Sequence, residues 1–468
     1  MSALPVRPLA AAAAALVCVL ACSTLSPATE APATSNAGST STAAPIEPTS
    51  TPAAGVAPAT AAPSATVATE ALTAAPPVAS PTLTPVPATP PPGAPLPALV
   101  AGQPVTLTVV RFFDSAHGWA IGFGTGDLAY DHLLTSGDGG LTWRDASPPE
   151  YRAEAAAGRA AVAFFQDPHT AWATYYGRDI APDEAALVWR TTDAGLTWQA
   201  GAPLDLSDVE FFATSDLYFV DATHGWLLTH VGAGMNHDYV VLFATTDGGQ
   251  TWTRLVDPFD IRDSNLQMSC LKTGLGFLDA QTGWVTGDCQ AVAPGVFLQR
   301  TSDGGHTWVA VDLPAPADLP DAFTRQDGGC GTYHLVTFAP ATVRLAVTCM
   351  IYTDTLTLHH FLYTSTDGGA TWTSRPLPAR DHAWLDPATG WTIDPADPND
   401  PAAPRRLYQT TDGGATWQYV NTVAWTARLN FISPAEGWAV AQAGLDLALV
   451  HTTTSGRSWA LLAPVAAP

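Results

Sequence analysis

One eight-residue pattern, Ser/Thr-x-Asp-x-Gly-x-Thr-Trp, returns seven times in the last 370 or so residues of this 468-residue chain. Its clearest copies are Thr301-Ser-Asp303-Gly-Gly305-His-Thr307-Trp308 and Thr410-Thr-Asp412-Gly-Gly414-Ala-Thr416-Trp417. Copies start at Ser136, Thr191, Thr245, Thr301, Ser365, Thr410 and Thr452, at intervals of 55, 54, 56, 64, 45 and 42 residues. A period of about 40–50 residues plus loops is that of a four-stranded blade. A second pattern keeps phase with the first: Phe113-Asp114 to Gly118-Trp119, Phe219 to Gly225-Trp226, Phe277 to Gly283-Trp284, Leu385-Asp386 to Gly390-Trp391, and Phe431 to Gly437-Trp438. Weaker versions lie at Phe165 to Trp172 and Phe338 to Leu345.

Short apolar runs bounded by Gly, Pro and Asp read as strands and turns. Within each box, glycine supplies backbone conformations closed to other residues. The Asp carboxylate accepts hydrogen bonds from turn amides, and the Trp ring plugs the core. Each unit is therefore strand A, a turn, strand B, a loop, strand C, the boxed turn and strand D. Seven units predict an all-β, seven-bladed β-propeller of four-stranded antiparallel blades, which leaves only short protected edges. The box aspartates Asp138, Asp193, Asp247, Asp303, Asp367 and Asp412 are expected to be structural, since they fall at separate hairpin tips.

The Phe-x-Asp-x-x-x-Gly-Trp turn followed by Asp-Gly-Gly-x-Thr-Trp resembles the Asp-box (bacterial neuraminidase repeat) propellers. It is most similar to the single-propeller family of the photosystem II assembly and stability factor, over about residues 105–462. That resemblance implies a single propeller that holds other proteins during assembly. Sialidases and xyloglucanases carry the same boxes, so the repeat speaks for fold more than for function. Two units depart from the pattern. In the seventh, Thr454 replaces the Asp and Ser458 the Thr; in the fifth, Arg344-Leu345 stands where Gly-Trp is expected. For closure of the ring, Val105–Val110 is a candidate additional strand of the last blade.

Residues 1–21 read as a signal peptide: Arg7 precedes an apolar stretch from Leu9 to Leu20, too short to span a membrane. Val19-Leu20-Ala21-Cys22 resembles the bacterial lipobox, which implies lipidation of Cys22 and attachment to a membrane. Residues 22–100 are Pro/Ala/Thr/Ser-rich. From 23 to 100 they contain 17 prolines and no Phe, Trp or Tyr, which predicts a disordered, semi-rigid stalk before a propeller over 101–468. Cys270, Cys289, Cys330 and Cys349 flank A–B hairpins in units four and five. Four cysteines allow three pairings; the parsimonious one is Cys270–Cys289 with Cys330–Cys349, as expected of an exported protein.

The chain carries 42 acidic and 19 basic residues, with Lys272 the single lysine. That balance argues against nucleic acid, which binds through phosphate neutralisation. No Arg-Ile-Pro segment of the sialidase kind is present, and no cofactor or metal is expected. A His/Asp metal site from His237, Asp238, His359 and His360 is a minor alternative, as is weak calcium binding along Asp394–Asp400. Function tends to sit on variable loops carried by a rigid scaffold. The B–C loop face supplies the candidate binding residues Tyr130, Asp131, His132, Tyr175, Tyr176, Arg178, His237, Tyr239, Tyr352, His359 and His360, with Asp179 and Asp354 beside them. Aromatic, His and Asp groups around a rim suit sugar stacking or a protein hot spot. The expectation is a monomeric, lipid-anchored, extracytoplasmic scaffold that binds protein. The alternative is a carbohydrate-binding protein or glycoside hydrolase of the sialidase-like class, which a convergent set of carboxylates and arginines in the central funnel would favour.

Overall fold

The computed structural model describes residues 94–95, 98–124, 130–149, 151–152, 160–176, 186–210, 212–234, 237–258, 266–289, 295–352, 354–394 and 403–468. The expected signal peptide, Cys22, almost all of the stalk, Arg178, Asp179 and most of Asp394–Asp400 lie outside them. Every regular element among the described residues is a strand, and all but Ala94–Pro95, Tyr151–Arg152 and Val465–Ala466 assemble as seven consecutive four-stranded antiparallel units, the fourth and fifth joined as one eight-stranded sheet. Blade one comprises Val105–Phe112, Gly118–Gly124, His132–Ser136 and Thr142–Asp145. Blades two to four open at Ala160–Phe165, Ala213–Phe219 and Leu271–Phe277. Blades five to seven open at Gly328–Phe338, His382–Trp384 and Thr426–Phe431. First strands of neighbouring blades touch around the ring, from blade two through five and from six through seven to one, so they form its inner wall.

The two sequence patterns meet across blade interfaces. In four units the Trp ring of this pattern, preceded by Gly or in the second unit by Ala171, lies flat on the aromatic residue that ends the next blade's first strand: Trp119 on Phe165, Trp172 on Phe219, Trp226 on Phe277 and Trp391 on Phe431. Centroids in the last three pairs are 3.9, 3.5 and 3.6 Å apart. Each such pair contributes about 0.5–1.5 kcal/mol beyond its buried area. The glycine before the Trp has a separate cause. A Cβ at Gly283 would stand 2.3 Å from the Phe277 ring of its own blade, and one at Gly225 2.4 Å from Phe219. Glycine is the residue that lets the ring lie over the backbone there.

The Gly-Trp that blade five lacks is replaced in kind. Register places Val343 opposite Ser365 and Arg344 opposite Thr364, so Arg344 holds the Trp position. Its guanidinium sits 3.6 Å over the ring of Trp384, the terminal aromatic of blade six, and donates to the Pro387 carbonyl. A planar cation on an aromatic face thus substitutes for an indole on a phenyl ring.

Closure differs from the expectation. Val105–Phe112 is the first strand of blade one itself, and the added strand is Val465–Ala466, which pairs in parallel with Thr142–Trp143 on that blade's outer edge. The two ends of the repeat array also meet at the inner wall. Trp438 stacks on Phe112 at 4.0 Å and donates to the Gly139 carbonyl, and the Phe112 amide donates to buried Asn430 at 2.7 Å. Both disulfides are those of the parsimonious pairing, Cys270–Cys289 and Cys330–Cys349. Disulfides persist in oxidising compartments, which fits an extracytoplasmic protein. No described helix is long and apolar enough to cross a membrane.

Candidate functional site

The boxed turns are self-contained. In blade four, Thr301 Oγ1 donates to Asp303 and accepts from the Gly305 amide, while Asp303 accepts from both the amide and the hydroxyl of Thr307, at 2.9 and 2.6 Å. The same set recurs at Asp138, Asp193, Asp247, Asp367 and Asp412. Hydrogen bonds from the following Thr, its side chain first, hold Asp193, Asp367 and Asp412 at a pKa of about 2. A carboxylate held charged in this way stabilises its turn and is ill suited to proton transfer. In blade seven Thr454 takes over, accepting from the Ser458 amide at 3.0 Å and sharing a 2.9 Å hydrogen bond with its hydroxyl. The turn therefore needs an acceptor oxygen more than a charge.

The rim residues fall into local groups. His132 is fully buried and pairs through Nδ1 with Asp145 at 2.9 Å. Asp131 accepts from the Ala161 amide of blade two at 3.0 Å, and burial raises its pKa. Tyr176 lies close enough to that carboxylate for it to add to the upward effect of burial on the phenol. Tyr175 is 2 % exposed, inside blade two, and Tyr130 is half-buried. His237 is exposed against half-buried Tyr239, while Asp238 is buried and receives His230 Nδ1 at 2.8 Å and the Lys272 amide at 2.7 Å. Among the described residues, no group of three or more His, Cys, Asp or Glu side chains comes together to hold a metal ion.

Blade five contributes more. Its second and third strands, Thr342–Tyr352 and Leu356–Ser365, run 11 and 10 residues, whereas their blade-four counterparts Gly283–Asp288 and Leu298–Thr301 have 6 and 4. Tyr352 opposes Leu356 and Met350 opposes Leu358, and opposed residues share one face of a hairpin. Tyr352, Leu356 and Leu358 are 51, 53 and 47 % exposed, so the overhang presents an apolar patch to solvent. His360, opposite Thr348, lies on that same face, and exposed His359 on the other. The disulfide Cys330–Cys349 ties the first two strands of the blade together where the overhang begins.

The inner wall holds a polar cluster that the loops did not announce. A cleft of about 480 Å³ is lined by His334, Arg380, Asp381, His382, Ala427, Arg428 and Leu429. His334 is aimed by a register shift between Tyr333 and Val336 and adopts φ +48°, a left-handed conformation uncommon outside glycine. Its Nε2 lies 2.9 Å from Asp381, whose other neighbour is Arg380 Nε at 3.2 Å. Burial opposes ionisation of Asp381, but the hydrogen bond and charge of His334 and the charge of Arg380 hold its pKa well below the carboxylate range. Arg380 also lies 4.8 Å over the Tyr333 ring, and the Tyr333 hydroxyl donates to Asp288 of blade four. His360 connects hairpin and cleft: burial lowers its pKa, and the charge of Arg380 adds to that. These residues stand two to four positions before Trp384, three before Phe431 and four before Phe338. Counting back from each terminal aromatic finds them, whereas the search of loops passes them by.

No family model matches the chain, and no curated protein matches it. Among solved structures it is similar to YCF48 bound to a D1 peptide, with 18 % identity, TM-score 0.45, and 76 % of this chain and 93 % of that one covered. It is also similar to polysaccharide lyase Uly1, with 10 % identity, TM-score 0.47, and coverage of 74 % and 89 %. A third is a GH74 xyloglucanase from Xanthomonas campestris, with 12 % identity, TM-score 0.24, and coverage of 78 % and 80 %. Identities this low concern the fold alone, and the side chains of the cleft and hairpin carry the functional reading.

Proposed function

We propose that this protein is an extracytoplasmic binding scaffold, held to a membrane through a lipid on Cys22, whose protein partner docks on the overhanging hairpin of blade five. The observation behind this reading is the patch of Met350, Tyr352, Leu356 and Leu358 on one hairpin face. Aromatic and aliphatic side chains exposed together on a rigid support are the usual anchors of a protein interface. The carboxylates at the boxes, and at Asp131 and Asp238, are engaged by backbone amides or side chains of the fold, which disfavours them as a catalytic acid and base. A second reading, a carbohydrate-binding protein, is favoured by the arginines, histidines and carboxylate that converge in the central cleft.

The full chain, expressed in bacterial membranes with a photo-cross-linker at position 358, tests the first reading. The expected result is one dominant cross-linked protein that disappears with Tyr352→Asp while the melting temperature is unchanged. Equal cross-linking in that variant would overturn it, as would product release from a panel of sialosides, β-glucans and plant polysaccharides.

A further inference from the structure

The central cleft has more donors than the fold uses. Among the described residues the exposed side chain of Arg428 makes no ion pair, hydrogen bond or ring contact, although it lines the cleft beside the Arg380–Asp381–His334 set. In that set the Asp381 carboxylate answers Arg380 and His334, which leaves Arg428 as unbalanced positive charge. His382, which also lines the cleft, carries an unanswered donor enclosed by protein. Trp384 Nε1 lies 3.1 Å from His382 Nδ1, and an indole N–H can only donate. Nδ1 is therefore the acceptor, and the imidazole proton resides on Nε2. That Nε2 is buried and has no partner. Burial, with His334 nearby, lowers the pKa of His382 to about 3, so the ring is neutral and Nε2–H remains a donor throughout the physiological range.

We propose that this cleft binds the carboxylate of a ligand about one sugar ring in size, with Arg428 as its main charge contact among the His334, Arg380 and His382 side chains that line the cleft. The volume, about 480 Å³, accommodates a hexuronic acid or an organic acid of similar bulk. Guanidinium forks match planar carboxylates, and charge-assisted hydrogen bonds of this kind are roughly twice as strong as neutral ones. The chain's net charge of −23 repels anions only weakly over distance, because salt screens beyond about 8 Å while contact pairs in a cleft persist. The proposal deepens the carbohydrate-binding reading above, but it can stand for free acids if that reading fails.

Calorimetric titration of the full chain with galacturonate, a galacturonate oligomer, succinate, galactose and sulfate is the test. The expected result is saturable binding of one or more of the carboxylates at millimolar concentration or below, and none of galactose. Arg428→Gln should weaken binding at least about tenfold at unchanged melting temperature. Arg375→Gln, on the boxed-turn side outside the cleft, should bind like the parent. Binding of the oligomer and the monomeric uronate would support the carbohydrate source, and binding of succinate alone a free organic acid. Galactose or sulfate binding as tightly as galacturonate, no carboxylate binding, or full affinity in Arg428→Gln would each overturn the proposal.

Discussion

At the scale of single residues, the chain uses side-chain acceptors to finish its turns. Asp412 shows the cost in acid. Hydrogen bonds from Thr416 and Thr410 lower its pKa from 3.8 to about 2. A group whose folded pKa lies below its unfolded one stabilises the fold above the unfolded value, and loses that stabilisation as pH falls through the folded one. The stability contributed by Asp412, and likewise by Asp193 and Asp367, should thus be complete above about pH 4 and decline towards pH 2. Urea unfolding at a series of pH values should show that limb. Asp412→Asn should be less stable at neutral pH and show a shallower decline, since the amide keeps an acceptor but has no charge to lose. Thr454 already shows how far an uncharged oxygen can serve. The sequence made the boxes legible because their bonds are local; it marked Arg344 as a departure but did not reveal its partner Trp384, which is 40 residues away by number and belongs to the next blade.

At the scale of elements, the blade-five hairpin departs most from the repeat. Its strands outrun their blade-four counterparts, and its base carries Cys330 and Cys349 as directly opposed residues. A disulfide closing a loop of about this length contributes on the order of 3 kcal/mol. Replacing both cysteines by serine should therefore lower the unfolding free energy by about that much. Hydrogen exchange should quicken first along Gly328–Phe338 and Thr342–Tyr352, and unchanged exchange there would assign the bridge no bracing role. The cysteine spacing made this bridge readable. The shared apolar face was not readable, because it depends on Tyr352 pairing with Leu356, a register that no repeat specifies.

At the scale of the whole molecule, the ring is held by a stacking joint that recurs at five blade interfaces and is replaced by Arg344 over Trp384 at a sixth. The joint between blades seven and one is made by Trp438 over Phe112, the Asn430 hydrogen bond and the strand Val465–Ala466, by which the chain leaving blade seven crosses onto blade one. Truncating a fully buried Trp costs about 3–5 kcal/mol. Trp438→Ala should lose about that amount by denaturant unfolding and expose the Thr142–Trp143 amides to exchange. Loss of stability without new exchange there would show that the parallel strand closes the ring alone. The sequence by itself determined the blade count, the strand order, the turn chemistry and the expected disulfides, since each is written in short-range patterns or a fixed period. Only the tertiary structure decided how the ring closes, that Arg344 does the work of a tryptophan, and that Arg380, His382, His334 and Arg428 line one cleft. Those outcomes depend on residues from different blades meeting across blade interfaces, at the inner wall or at the outer edge, where the relevant distance runs between blades rather than along the chain.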